Sequence, residues 1–445
     1  MSPVTFPNLL ATRRGRLVAF FFLYLTEGIP LGFAATAIAT EMRRQGVGVA
    51  DIGAFVGAIY LPWAWKWAIG PFVDVLSSDK LGRRRAWIVG AQIMMVLSLL
   101  AAVPVGVSQV GLFTWLILLH NVFAATQDVA IDALATQVLS EDERGLANGV
   151  MFGGAAFGQA VGGSGVLFLT AFVPFTTTYV FIALCLLSVT LFIALPLKET
   201  PSKRPAPPGS AVRAAATEIR QFMVDAFRAF TGSRGAFVGV IFALMPAGAY
   251  ALGLSLQSNL AVELGMSNNA IAVLGLAGAV VNGGCCMLGG WLSDRFGRRR
   301  MLALYLAGTA VPTLFMAWAM THYQWIMPIA LDVPNRPVPP VTLVNLFIGA
   351  GMVYAVFNGL MYGTRTALFM DITTPAVAAT QFTAYMAMLN FVIQYSARWQ
   401  GVALERWGYP TTLTIDAAVG LVSIALLPLM TRPGGVARPA REAAN

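Results

Sequence analysis

Long apolar runs alternate with short polar stretches along almost the whole chain. Twelve runs are long enough to cross a bilayer, which takes about 20 residues. They cover 17–40, 51–76, 86–107, 110–139, 144–170, 174–196, 235–262, 267–293, 300–320, 340–370, 376–402 and 409–430. The pattern predicts an all-α membrane protein with twelve transmembrane helices in two pseudo-symmetric six-helix bundles. The expected parts are an N-terminal tail (1–16), a first bundle (17–196), a linker (197–234), a second bundle (235–430) and a C-terminal tail (431–445). The linker opens with Pro201, Pro205, Pro207 and Pro208, which disfavour helix. Val212, Ala216, Ile219, Met223, Ala226, Phe227 and Phe230 then recur at helical spacing, with Arg213, Arg220 and Arg228 between them. That is the pattern of a basic amphipathic helix lying on the inner leaflet.

Composition agrees with the pattern. Hydrophobic residues make up 57% of the 445 positions and charged residues 11%, against about 25% charged in soluble domains. The solvent for this much apolar surface is lipid. A net charge of +9 therefore reads through its placement, and nucleic acid is not an expected partner. With the N-terminus in the cytoplasm, 22 of the 29 Lys and Arg fall on the inner side, as the positive-inside rule requires. Only Arg43, Arg44, Arg336 and Arg406 fall on outer loops, and Lys66, Arg365 and Arg398 lie within runs. Both termini are expected in the cytoplasm. Arg13, Arg14 and Arg16 lead straight into the first run with no small-residue cleavage site after it, so that run reads as a retained helix. Cys185, Cys285 and Cys286 all lie in apolar runs and read as core residues. With His120 and His322 the only histidines, no metal centre and no cofactor are expected.

One polar element occurs twice. Gly70-Pro-Phe-Val-Asp74 is followed by Gly82-Arg83-Arg84-Arg85, and Gly290-Trp-Leu-Ser-Asp294 by Arg295-Phe-Gly297-Arg298-Arg299-Arg300. Each copy ends one run and precedes the next. The glycine permits a tight turn. The acid can bind a helix terminus or an arginine across the loop, and the arginines hold the loop at the anionic inner surface. A single Gly-Arg-Arg-Arg would be a plain positive-inside anchor. Two copies with an acid at the preceding helix end resemble the signature turn of the major facilitator superfamily. That resemblance implies two parallel halves around a central cavity, with the solute site near the bilayer midplane and the turns (Asp74, Gly82, Arg83, Arg84; Asp294, Arg295, Gly297, Arg298) acting as a cytoplasmic gate. The first copy is stretched, with Asp79 and Lys80 inserted, and is expected to latch differently from the second.

A charge inside the bilayer costs at least about 2.5–3.5 kcal/mol, so each one marks a candidate site. Glu27 precedes Gly28 and Pro30 in the first run. Lys66 stands among Trp63, Trp65 and Trp67 in the second. Gln127, Asp128 and Asp132 lie in the fourth. Asp128 and Asp132 are four apart and share a helix face, and Asp128 lies about 16 Å from Leu139 at the inner end. Two carboxylates on one face resist ionising together, which suits proton coupling. Lys66 is their natural partner, and the same groups can instead form a permanent structural ion pair. In the second half, Asn358, Tyr362 and Arg365 lie in the tenth run, and Tyr385, Asn390, Gln394 and Arg398 in the eleventh. Arg365 and Arg398 can each snorkel to an interface or line the cavity, and some of the polar residues can be helix–helix hydrogen bonds. His120 has no evident partner and reads as core. The fifth run carries Gly149, Gly153, Gly154, Gly158, Gly162, Gly163 and Gly165, and the eighth Gly283-Gly284 and Gly289-Gly290. Such stripes pack helices closely, and they can also be a sliding surface between the halves.

Several stretches resemble the AmpG-type permeases and their RhtX/FptX-type relatives within the superfamily. They are Thr26-Glu27-Gly28-Ile29-Pro30, Trp65-Lys66-Trp67 with Gly70 to Asp74, Gly82 to Trp87 with Gln92, Gln127-Asp128 to Asp132-Ala133, and Glu143-Arg144-Gly145. The resemblance implies proton-coupled import, by alternating access across the inner membrane, of a medium-sized amphipathic solute of siderophore or muropeptide type. The implied partners are a small organic solute, protons and the lipid bilayer, with the protein a monomer. Leu134 and Ala135 replace the aromatic and basic residues of muropeptide permeases, Glu27 replaces a small residue, and the chain ends soon after the twelfth run. These departures speak against a muropeptide cargo, and the Glu27-Gly-Ile-Pro sequence with the twelve-run length leans towards the siderophore-type relatives. A drug or metabolite exporter, or a non-transporting sensor on the same scaffold, has the same outline. An enzyme does not fit, because no nucleophile or metal cluster is legible.

Overall fold

The computed structural model describes residues 8–75, 82–107, 109–199, 211–331, 333–373 and 378–431. Its elements in chain order are α1 (Arg13–Arg44), α2 (Val49–Trp65), α3 (Gly70–Val75), α4 (Arg83–Ala102), α5 (Val110–Val138), α6 (Glu141–Ala160), α7 (Phe175–Ala194), α8 (Ala211–Thr231), α9 (Arg234–Ala243), α10 (Ser255–Glu263), α11 (Asn268–Phe296), α12 (Arg298–His322), α13 (Val341–Ile372) and α14 (Ala378–Val422). No strand occurs among the described residues, and nine helices there are long and apolar enough to cross a membrane.

Four of the expected runs differ from single separate helices. The second breaks after Trp65 into a 3₁₀ turn, Lys66–Ala68, before α3 resumes. The seventh is interrupted between α9 and α10 around Pro246 and Gly248, whose φ of +82° is open to glycine. The eleventh and twelfth join as α14, with a sharp turn at Gly408 (φ 77°, ψ 179°) in place of a loop.

The glycine stripe of the fifth run packs inside the first half. A Cβ on Gly158 would meet the Leu25 carbonyl oxygen at 2.5 Å, and one on Gly154 the Phe21 oxygen at 2.3 Å, so α6 lies backbone to backbone on α1. Gly289 and Gly359 bring α11 equally close to α13. The tight contact between the halves lies elsewhere, between α2 and α14, where a Cβ on Gly53 would meet the Ala397 oxygen at 2.6 Å and one on Gly57 the Gln394 oxygen at 2.6 Å. Small residues win this position because helices in lipid associate through close packing, with no hydrophobic drive between them.

At the end away from the arginine-rich turns, a polar latch joins the halves. Arg43 at the end of α1 pairs with Glu263 at the end of α10 at 2.9 Å, both side chains buried. The Glu263 carboxylate also accepts from Trp325 Nε1 (2.8 Å), the Ile329 amide (3.0 Å) and the Tyr409 hydroxyl (2.7 Å). Arg44 donates to Asn268 (2.6 Å) and to the Met266 carbonyl (2.7 Å), and Asn268 donates to Thr170 (2.8 Å). Breaking one side of a buried pair costs about 3–5 kcal/mol. Arg43→Ala is therefore expected to loosen this end. A Thr40→Cys probe, buried beside the latch, should gain labelling by an impermeant maleimide in the Arg43→Ala background; labelling equal to that in the wild-type background would refute the latch.

Two further ties sit near the opposite end. Arg16 holds Glu143 at 2.6 Å, and the hydrogen bond from this guanidinium keeps the Glu143 carboxyl below the usual carboxylate range. The stabilisation is therefore present above the ordinary carboxylate pKa and is lost as pH falls through the lowered value. The linker carries the helix α8. Phe222 stacks on Trp67 at 5.4 Å, Ala226 and Ala229 are buried, and Met223 and Phe227 are exposed. Pro201, Pro205, Pro207 and Pro208 lie outside the described residues.

Candidate functional site

Three helices of the first half converge on one charged cluster. Lys66 sits where α2 breaks, and its Nζ lies 2.8 Å from Asp128 and 4.0 Å from Asp132 on α5. The helical register of the two aspartates delivers both to the same cation. Glu27 on α1 lies within electrostatic reach of Asp128, Asp132 and Lys66, and its buried Oε2 has no hydrogen-bond partner. The Tyr24 hydroxyl, one turn before Glu27, donates to Asp132. Asp128 is buried, while the side chains of Lys66 and Asp132 are 23% and 45% exposed. The cluster sets three carboxyl groups against one ammonium.

Gln127 points away from this cluster. Its amide donates to Thr26 (3.0 Å), which also accepts from Gln92 (3.2 Å), and Thr190 donates to Gln92 (2.7 Å). This buried network ties α1, α4, α5 and α7 together behind the charges. His120 is buried with its Nδ1 2.8 Å from the Met95 carbonyl.

In the second half Arg365 is buried, 3% exposed. It donates to the Tyr250 hydroxyl at 2.8 Å and lies over the Tyr362 ring at 5.5 Å. Tyr362 is half-exposed and within electrostatic reach of Glu27 in the other half. Asn358 is half-buried on the same helix. Tyr385 is instead a core residue: its hydroxyl donates to the Ala236 carbonyl (2.9 Å) and its ring stacks on Phe369 at 4.7 Å. Gln394 places its backbone against Gly57 at the contact of α2 and α14, Asn390 is half-buried, and Arg398 is exposed.

The repeated turns share their geometry and differ in their partners. Gly82 and Gly297 have φ of 84° and 94°, the left-handed conformation that their position before a new helix requires. In the first turn the Glu199 carboxylate accepts the backbone N–H of Arg84 (3.0 Å) and Arg85 (2.6 Å), and Arg84 donates to the Val73 carbonyl (2.7 Å). A carboxylate capping the start of α4 is favoured by the helix dipole. In the second, Arg298 bridges Asp294 (2.9 Å) and Asp371 (2.7 Å), and Arg295 lies over Trp291 at 4.9 Å. These ties bind each turn within its own half. The side chain of Asp74, and Asp79 and Lys80, lie outside the described residues.

Four residues with evident roles are absent from the sequence-derived set: Asp416, Glu263, Glu199 and Asp371. Asp416 carried a signal, since it is a lone acid in an apolar run, the same rule that marks Glu27. The other three sit at run ends, where charges are ordinary. Asp416 accepts the backbone N–H groups of Tyr250 (2.8 Å) and Ala251 (3.0 Å) in the break between α9 and α10, and the Gln400 amide (2.7 Å). Thr309 accepts the Ala249 N–H (3.0 Å), and the Tyr354 hydroxyl donates to the Ala249 carbonyl (3.0 Å). Non-helical backbone at membrane depth survives only with such partners.

The family described as the Major Facilitator Superfamily matches residues 17–331 and 238–444. The anhydromuropeptide permease of Escherichia coli strain K12 is 23% identical over 93% of this chain and 79% of its own length. A Rickettsia conorii protein described as putative transporter AmpG 4 is 26% identical over 40% of this chain, and the match spans only 44% of that relative. Among solved structures, the inward-open xylose transporter XylE of Escherichia coli superposes with a TM-score of 0.67, at 13% identity, over 95% of this chain and 98% of that one.

Proposed function

Because this chain belongs to the major facilitator superfamily, and its family and relatives are membrane transporters and not enzymes, we propose that it imports a medium-sized amphipathic organic solute with protons across the inner membrane by alternating access. The two halves, 17–196 and 235–430, would rock about the contact of α2 and α14, with both termini in the cytoplasm. The arrangement described above, latched at the end carrying Arg43 and Glu263, is read as the inward-facing state. The observation that carries the coupling is the Lys66–Asp128–Asp132 cluster, with Glu27 within electrostatic reach of it. A proton arriving at this cluster weakens the hold on Lys66, and an ion pair re-formed after its release resets the half. The energy scale fits, since a buried carboxylate–ammonium contact responds by several kcal/mol to neutralisation of one partner.

The muropeptide relative and the siderophore-type resemblance name the two solute classes to try. Purified protein in proteoliposomes, given either a labelled anhydromuropeptide or a ferric siderophore, is expected to accumulate one of them only when the outside is more acidic. Accumulation that ignores the gradient would refute proton coupling, and outward pumping of the solute would reverse the direction.

A further inference from the structure

Resting on the transporter reading, we propose that Arg365, Tyr250 and Tyr362 form the docking point for an oxyanion of the solute, a carboxylate in the simplest case. Arg365 is a cation in the apolar helix α13, 3% exposed, and no carboxylate among the described residues pairs with it. A charge placed so deep is expensive unless something neutralises it. Asp416, which accepts the backbone N–H of the neighbouring Tyr250, does not pair with Arg365: its oxygens take the Tyr250 and Ala251 amides and Gln400.

The guanidinium also has its binding edge free. Nη1 is engaged by the Tyr250 hydroxyl, whereas Nε is buried with no hydrogen-bond partner. Nε and Nη2 together form the side edge of the fork, which matches the two oxygens of a carboxylate. A buried donor without an acceptor is a standing cost, and a carboxylate on that edge would remove it and the charge imbalance together.

The mount is preorganised. Tyr250 lies in the break between α9 and α10, whose backbone is held by Asp416, Thr309 and Tyr354. The Tyr362 ring supports the guanidinium face from below while exposing half its surface. A fixed arginine loses little freedom on binding, which favours affinity. Tyr362 is also within electrostatic reach of Glu27 of the first half. The solute class that fits is one with an anionic end on Arg365, an apolar surface against Tyr362, and a neutral or cationic end towards Glu27, Asp128 and Asp132.

Benzoate and its neutral isostere benzamide test this at equilibrium, without a proton gradient, so the result does not depend on whether uptake is proton-driven. In nanodiscs at constant ionic strength, benzoate is expected to raise the thermal midpoint of the wild-type protein and benzamide is not. Arg365→Gln should abolish the difference, and Arg365→Lys, which keeps the charge but loses the fork, should weaken benzoate by about tenfold. A measurement free of variants covers the case in which Arg365→Gln does not fold. Phenylglyoxal modification of Arg365, followed by mass spectrometry, should be slowed by benzoate and not by benzamide. Equal effects of benzoate and benzamide on the wild type, or an undiminished benzoate shift in Arg365→Gln, would overturn the proposal.

Discussion

Asp128→Asn is expected to abolish gradient-driven accumulation while leaving the protein folded. Asp128 is 2% exposed and supplies the short contact to Lys66, at 2.8 Å against 4.0 Å for Asp132. Stripping the charge from one partner of a buried pair costs about 3–5 kcal/mol. Here the loss is smaller, because Lys66 is 23% exposed and Asp132 remains within reach. Transport suffers more, since Asn can neither take up nor release the proton. Accumulation in proteoliposomes should fall at least tenfold, while thermal stability in detergent falls by a few degrees. The double variant Lys66→Met/Asp128→Asn separates this from a purely structural pair. It removes both charges and should recover stability without recovering accumulation. Recovery of both would mean that the pair merely ties α2 to α5, and that the coupling site lies elsewhere.

The second large effect is expected at Asp416. Asp416→Ala leaves the Tyr250 and Ala251 amides and the Gln400 side chain without their acceptor. Each buried group left unsatisfied costs about 1–3 kcal/mol, so the total for the three is roughly 3–9 kcal/mol. That is comparable with the whole stability of a typical protein, about 5–15 kcal/mol. The variant should appear as aggregate on size-exclusion chromatography, with little monodisperse protein. Asp416→Asn keeps one acceptor oxygen for the two backbone amides and should survive with a lowered midpoint. If Asp416→Ala behaves like the wild type, the break between α9 and α10 is held by something other than this carboxylate.

These two sites differ in how far they could be read in advance. Glu27, Lys66, Asp128 and Asp132 stand out because charge is rare in apolar runs, and the four-residue spacing of the aspartates places them on one face. Their convergence on Lys66 follows the expectation drawn from charge alone. Gln127, one residue away from Asp128, is turned about 100° round the helix and joins the Thr26 and Gln92 network. Tyr385 reads from the sequence as a cavity residue because polar groups are costly in lipid, but a tyrosine can satisfy its hydroxyl on a neighbouring helix carbonyl, and Ala236 provides one. The glycine stripe of the fifth run signals close packing without naming the partner, and the partner is α1 within the same half.

The sequence by itself determined that the chain lives in lipid, that its elements are long helices, and where the turns with left-handed Gly82 and Gly297 fall. Those features follow from local chemistry: apolar length, backbone groups that must bond within their own helix, and the φ that glycine allows. It also determined which charges are buried deeply enough to need a reason. Only the tertiary structure decided which groups meet. Arg43 pairs with Glu263 across 220 residues and Lys66 with Asp128 across 62, and Asp416 reaches back 166 residues to cap a broken helix. Such pairings depend on the depth and rotation of each helix against its neighbours. In a bilayer those are set by small-residue contacts such as Gly53 on Ala397, because hydropathy marks a run as buried in lipid without choosing the side it turns towards its partners.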